Sequence, residues 1–272
     1  MSSAQHGHRA TVPTPSPFSC ARSVALTIAV AAISLIALFW ARAIERPLLR
    51  APAGDVLADP DSYVQWRLVR RALAGEGVRI RWLNEDNAPI GRFNEWTSAQ
   101  TIIAAAAVRA VRLVTASSLE TAADQVKVWL GPTIALATMI ILALAARSIG
   151  GWGLAGCWTL AWPLPSMVLA MTRCGNVSHQ GLHLLLMAAM LAGALNRSSR
   201  WPRGFGIGLG IVCAIALWAA ASELLPMWGL IAGLAVYDAW ARRDDEAVMR
   251  FWKMWWIAVW EERRSGLVVP SV

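Results

Sequence analysis

Six stretches of this chain are apolar and nearly free of charge, and each approaches the length at which a helix crosses a bilayer. They cover residues 24–41, 126–146, 152–171, 182–195, 205–221 and 224–237. A hydrocarbon core takes roughly 17 to 25 residues of helix, so 182–195 and 224–237 are expected to tilt or to extend at their ends. In lipid every backbone polar group must be satisfied within the segment, which leaves helices as the form such runs can take. A chain that is 57% hydrophobic with 16 Trp does not read as a soluble domain. The expected fold class is all-α, a polytopic transmembrane helix bundle of about six spans.

Charge orients that bundle. The formal net charge of +8 comes almost wholly from arginine, since Lys127 and Lys253 are the only lysines. In a polytopic chain such a balance reflects cytoplasmic anchoring and anionic lipid, and no nucleic-acid partner is expected. Residues 1–22, rich in Pro and Ser, read as a disordered cytoplasmic N-terminus. Placing Arg9 and Arg22 inside also puts Arg147, Arg197, Arg200, Arg203, Arg242 and Arg243 inside, as short loops prefer. Residues 23–240 then form the membrane domain, and 42–97 a large outer loop that fits the charge rule least well. A signal peptide ending near Ala41-Arg42-Ala43 is the rival reading of the first run; its length and the spans that follow favour an anchor. The four cysteines have no CxxC spacing, which indicates neither zinc nor a structural disulfide.

The outer loop carries a helix pattern. Tyr63, Trp66, Val69 and Leu73 recur at helical spacing, with Arg67, Arg70 and Arg71 off that stripe and Gly75 and Gly77 as the stop. This reads as an amphipathic helix lying on the membrane. Residues 97–116 are apolar but include Arg109 and Arg112, and charge near a bilayer centre is costly, so a tilted or interfacial helix is expected. The tail, 241–272, places Phe251, Trp252, Trp255, Trp256, Val259 and Trp260 on one face and reads as an interfacial cytoplasmic helix.

The chemistry-bearing residues fall at three points that this topology puts on one side: Asp59 and Asp61, the turn from Cys174 to Gln180, and Ser222-Glu223. Carboxylates at Asp59 and Asp61 suit Mg²⁺ or Mn²⁺. The same letters also read as a helix start, with Asp59 as N-cap, Pro60 in the first turn and Asp61 as a dipole-matching acid; the two roles are compatible. Arg67, Arg70, Arg71 and Arg92 have the fork geometry that grips phosphate, and equally the look of a headgroup-facing surface. His179 and His183 stand one helical turn apart, a spacing that holds a metal or serves headgroup contacts. Glu223 is either a functional acid or an interface-level cap. No GxSxG, P-loop, HExxH or GxGxxG in a strand-to-helix setting is present.

At these residues the chain resembles the GT-C membrane glycosyltransferases, especially oligosaccharyltransferase catalytic subunits and their bacterial relatives. The likeness rests on Asp59-Pro60-Asp61-Ser62-Tyr63, on Trp66-Arg67 and Arg70, and on Pro89-Ile90-Gly91-Arg92 with Trp96 behind. It continues in Gly175-Asn176-Val177-Ser178-His179-Gln180 and in Glu223-Leu224-Leu225-Pro226. It spans roughly residues 20 to 240, the N-terminal half of such an enzyme. Two letters depart from the second motif: Ser178 stands for its acid and Gln180 for its second histidine.

The resemblance implies an inverting transfer of a sugar from a polyprenyl-phosphate donor to an acceptor at the outer face of a bacterial inner membrane, both termini being cytoplasmic. In that reading Asp61, with Asp59 and His179, holds Mg²⁺ or Mn²⁺, Asp61 and Glu223 are catalytic, and Arg67, Arg70, Arg92 and Trp96 bind the donor. The alternative is a non-catalytic or truncated membrane subunit that binds lipid-linked glycan or a larger transferase. Ser178 and Gln180 point that way. A transporter is expected to show inverted repeats or broken helix pairs, and neither is visible.

Overall fold

The protein is all-α. Its computed structural model describes residues 24–25, 28–29, 31–32, 36, 50–51, 54–55, 57–84, 89–94, 98–161, 170–197 and 202–264. The run at 24–41 therefore lies largely outside the described residues. Two minimal antiparallel ladders occur in the polar loop, β1 (Arg50–Ala51) with β2 (Gly54–Asp55) and β3 (Trp82–Leu83) with β4 (Arg92–Phe93). The helices are α1 (Pro60–Leu73), α2 (Ala99–Thr115), α3 (Leu119–Ala161), α4 (His179–Leu195), α5 (Pro202–Ala241) and α6 (Glu246–Arg264).

α3 is two helices joined at a break. Gly150 and Gly151 leave helical geometry, Gly151 at φ 70°, a region glycine enters without a Cβ penalty. The chain then doubles back. Gly175 N–H donates to Val128 O at 3.1 Å, and a Cβ on Gly131 would lie 2.6 Å from Arg173 O. By residue 173 the chain has returned to the level of Val128, with the glycine pair midway.

α5 covers 40 residues, yet it also reverses. A Cβ on Gly206 would collide with Phe251 O, while Trp252 Nε1 donates to Asp238 at 2.9 Å. A straight helix would hold residues 206 and 238 about 48 Å apart at 1.5 Å per residue, far beyond what two adjacent residues of α6 can bridge. Trp255 similarly joins Cys213 to Trp228, whose ring centroid is 6.0 Å away. Both pairs straddle residues 220–222 symmetrically, so α5 has two arms, Arg203–Ala219 and Leu224–Ala241. The two apolar runs on either side of Ser222-Glu223 in the sequence are thus the two arms of α5.

These contacts sort the helix ends. α4 begins beside Val128 and Gly131 and runs away from them. Gly193 near its far end meets Leu209 of α5 at 3.0 Å from an added Cβ, and in that antiparallel register residues 219–222 come back beside 180–183. One end of the bundle thus gathers the starts of α1, α2 and α4 and the reversal of α5. The far end gathers Arg147, Arg197, Arg203, Arg242 and Arg243.

Apolar surface decides the packing. Leu182, Leu186, Met190, Leu209, Cys213, Leu224 and Ile231 share one buried cluster with Phe251, Trp252 and Trp255. α6 thus packs lengthwise along both arms of α5, leaving Trp256 and Trp260 exposed, where the sequence pattern suggested an aromatic face turned wholly to the interface. Gly206 and Gly210 permit that approach by removing side chains where the backbones touch. A 2.6 Å ion pair between Arg197 and the fully buried Asp238 fixes the far end.

α1 differs in its setting from the expected surface helix. Its stripe does not lie on the membrane: Trp66 and Val69 are buried against Ala104, Ala105 and Val108 of α2 and Ala122 and Val126 of α3. Small alanines on α2 provide a face flat enough for the bulky stripe. Leu68 packs on a second side with Ile80 and Leu83, beneath the β3–β4 ladder. Gly75 and Gly77 end the helix at positive φ, 93° and 88°.

Two stretches, Leu119–Ala161 and Leu224–Ala241, are long and apolar enough to cross a membrane, and His179–Leu195 and Arg203–Ala219 are shorter apolar helices.

Candidate functional site

Two polar segments more than a hundred residues apart meet at the α1 end. Asp59 N-caps α1, with Oδ1 accepting from Ser62 N–H at 2.8 Å and Oδ2 from the Ser62 hydroxyl at 3.1 Å. The same Ser62 oxygen accepts from Val177 N–H at 2.9 Å. Ala58 N–H donates to Gly175 O at 3.1 Å, and the Arg173 guanidinium donates to Ala58 O. Within the turn, Asn176 Oδ1 accepts from both the backbone and the hydroxyl of Ser178, at 2.9 and 2.7 Å. Ser62, Val177 and Ser178 are almost wholly buried, so these bonds form in a low-dielectric setting where each lost partner is costly.

The second layer comes from α1 and α2. Gln65 donates to Thr101 Oγ1 at 2.9 Å and Gln100 to Val177 O at 3.1 Å. Both glutamines are buried, and the remaining carbonyl oxygen of each has no partner among the described residues. Unmatched acceptors of this kind receive donors from water or from a bound hydroxylated molecule.

The sequence-predicted residues separate into three groups. Asp59, Asp61, Arg67, Arg70 and His179 lie at this end, on α1 or at the first residue of α4. The cap reading of Asp59 is met in full, with both oxygens engaged by Ser62. Asp61 is half-buried in the first turn, where a negative charge suits the helix dipole. Arg70 is exposed with no ion pair among the described residues, whereas Arg71 pairs with Glu76 at 2.6 Å. His179 and His183 face each other edge-on, ring centroids 4.9 Å apart. The backbone of Glu223 sits at the α5 reversal, at the level of His179 and Gln180. Arg92 is placed by the β3–β4 ladder opposite Leu83. Trp96 lies outside the described residues.

The metal reading meets a limit in the donor set. Among the described residues no group of three or more His, Cys, Asp or Glu side chains is placed to hold a metal ion. Each Asp59 oxygen already accepts one hydrogen bond in the cap. Asp61 alone fits a cation that takes most of its oxygens from a bound phosphate and water, as Mg²⁺ often does.

Sequence reasoning passed over Ser62, Gln65, Gln100 and Arg173. Ser62 joins both segments, and Arg173 adds a cation beside Asp59. No local pattern marks the glutamines, since the partners of each lie far away in sequence. No family model matches the chain, and no curated protein or solved structure matches it.

Proposed function

We propose that the chain is an integral membrane protein of the GT-C glycosyltransferase type that receives a polyprenyl-phosphate-linked sugar at the α1 end. The observation that carries the reading is the joining of the Asp59–Ser62 helix start to the 173–178 turn. The two segments that bear the family-like letters are held in one place by Ser62, Arg173 and the Ala58–Gly175 backbone bond. Membrane residence is supported by apolar side chains standing outside the bundle. Leu225, Leu230, Val236 and Trp240 on the second arm of α5 are 63%, 58%, 71% and 80% exposed, a surface that lipid covers and water does not. The gathering of Arg147, Arg197, Arg203, Arg242 and Arg243 at the far end supports that end as cytoplasmic. Six spans in a bacterial inner membrane, the first being 24–41, complete this reading.

In this proposal Arg67, Arg70 and Arg92 steady the lipid phosphate and Trp96 lies beside the donor. Glu223 and His179 complete the site from the α5 reversal and the α4 start. A divalent cation, Mg²⁺ or Mn²⁺, held by Asp61 would neutralise the leaving phosphate. The acceptor attacks the anomeric carbon, the bond to the phosphate oxygen breaks with its electron pair leaving on phosphate, and the centre inverts.

A second reading is a non-catalytic subunit that binds the same lipid beside a larger transferase. It is favoured by the engagement of both Asp59 oxygens and by the Ser178 hydroxyl turned onto Asn176. Binding of a short-chain polyprenyl phosphate to the purified chain, with and without Mn²⁺, tests both. Cation-dependent binding lost in Asp61→Ala supports the transferase site. Cation-independent binding lost in Arg67→Gln and Arg70→Gln supports the subunit. Binding absent from the wild type contradicts both.

A further inference from the structure

At the opposite end of the bundle from this site, α3, α4 and α5 part to leave a cleft of about 860 Å³. Its walls are apolar, with Leu144 and Phe205 54% and 40% exposed at its side. Its floor is opened by Gly204 and Gly208, where an added Cβ would find nothing within 4 Å. The rim is polar, and no carboxylate lines it among the described residues. Ser148 donates to the carbonyl of Ala145 at 2.7 Å and Asn196 Nδ2 donates one hydrogen to that of Ala192 at 2.8 Å. The cation at the rim is Arg147, whose guanidinium lies 4.1 Å over the Trp152 ring and has no ion pair among the described residues. Arg203, exposed, directly precedes Gly204 in the chain.

We propose that this cleft binds an anionic phospholipid, with an acyl chain against the glycine floor and the headgroup phosphate on Arg147. Three features converge on that occupant. The volume and apolar walls accept a hydrocarbon chain. Among the described residues that line the cleft the charged one is positive, Arg147, and it sits at the end of the bundle where the chain's other loop arginines gather. A basic pocket between apolar helices on the arginine-rich side is where anionic headgroups bind, and stacking on Trp152 keeps the guanidinium plane at the rim without a carboxylate. The inference is independent of the transferase reading: it concerns a different end of the molecule and stands or falls with separate residues.

The test is native mass spectrometry of the full chain in detergent, titrated with phosphatidylglycerol or with phosphatidylcholine of the same acyl chains. The expected result is retention of phosphatidylglycerol well above phosphatidylcholine. Arg147→Gln should weaken retention about fivefold, as one basic side chain does near an anionic surface. Gly208→Leu should abolish it by filling the floor, and Arg243→Gln, at the same end but away from the cleft, should leave it unchanged. Equal retention of the two lipids overturns the proposal, as does wild-type retention by Arg147→Gln. Complete displacement by millimolar inorganic phosphate would assign the rim to free phosphate and likewise overturn a lipid site. Gly208→Leu enters empty space; should it nonetheless fail to fold, the exposed Arg147 variant decides alone.

Discussion

Replacing Ser62 by alanine removes one of the hydrogen bonds that join the two segments of the site while leaving every helix intact. Ser62 is fully buried, and its oxygen is the acceptor for Val177 N–H, which is itself fully buried. The variant keeps the backbone bond from position 62 to Asp59 Oδ1, so the α1 cap survives. What is lost is the only hydrogen bond shown for a buried amide. Leaving such a group unmatched costs about 1–3 kcal/mol. Hydrogen exchange reads that cost locally, because a lower opening free energy raises the exchange rate by tenfold for each ~1.4 kcal/mol. Peptides covering 174–178 should therefore exchange roughly 5- to 150-fold faster in Ser62→Ala, with α4 and α5 unaffected. The conservative Ser62→Thr, which keeps the hydroxyl, should restore most of the protection. Unchanged exchange at Val177 in the alanine variant would refute the claim that Ser62 joins the segments.

Two further perturbations probe the frame around the site. Gly131→Val places branched carbon where Arg173 O would be 2.6 Å from the first added atom; overpacking of this kind costs about 1–3 kcal/mol, read as a lower unfolding midpoint and weaker protection of 172–178. Asp238→Leu at the far end strips Arg197 of its counter-charge and Trp252 of its acceptor. Breaking a buried pair costs ~3–5 kcal/mol, and the lower end applies because Arg197 keeps some water contact. Protease cleavage within α6 should rise in that variant and stay unchanged in Asp244→Asn, whose side chain is in solvent.

The helices could be read from the letters because their apolar runs are long and their punctuation strong. Gly150-Gly151 divides two runs and also breaks α3. Ser222-Glu223 divides two more, and the α5 arms reverse around it. The neighbours of a helix were harder to see. Tyr63, Trp66, Val69 and Leu73 form the same stripe whether lipid or another helix covers it, and nothing in the local pattern announces the alanine face of α2. The same holds for Phe251, Trp252 and Trp255, since an aromatic face suits a membrane interface and a helix pair alike. Gly206 and Gly210 were the available hint, a small-residue spacing that lets two backbones touch. In the site, Asp59 was legible as a cap because Pro60 and Asp61 follow it. Ser62, Gln65, Gln100 and Arg173 were not, because their roles depend on contacts with residues far away in sequence.

Everything proposed for the α1 end requires that the outer-loop helix and the α5 reversal share a side, opposite the arginine loops. Single cysteines introduced by Val78→Cys, Ser222→Cys and Asp244→Cys, in a chain whose own four cysteines are replaced, test this with an impermeant maleimide in sealed vesicles. The account predicts that Val78→Cys and Ser222→Cys label from the same side, and that Asp244→Cys labels only from the other. Labelling of Val78→Cys and Ser222→Cys from opposite sides would contradict it.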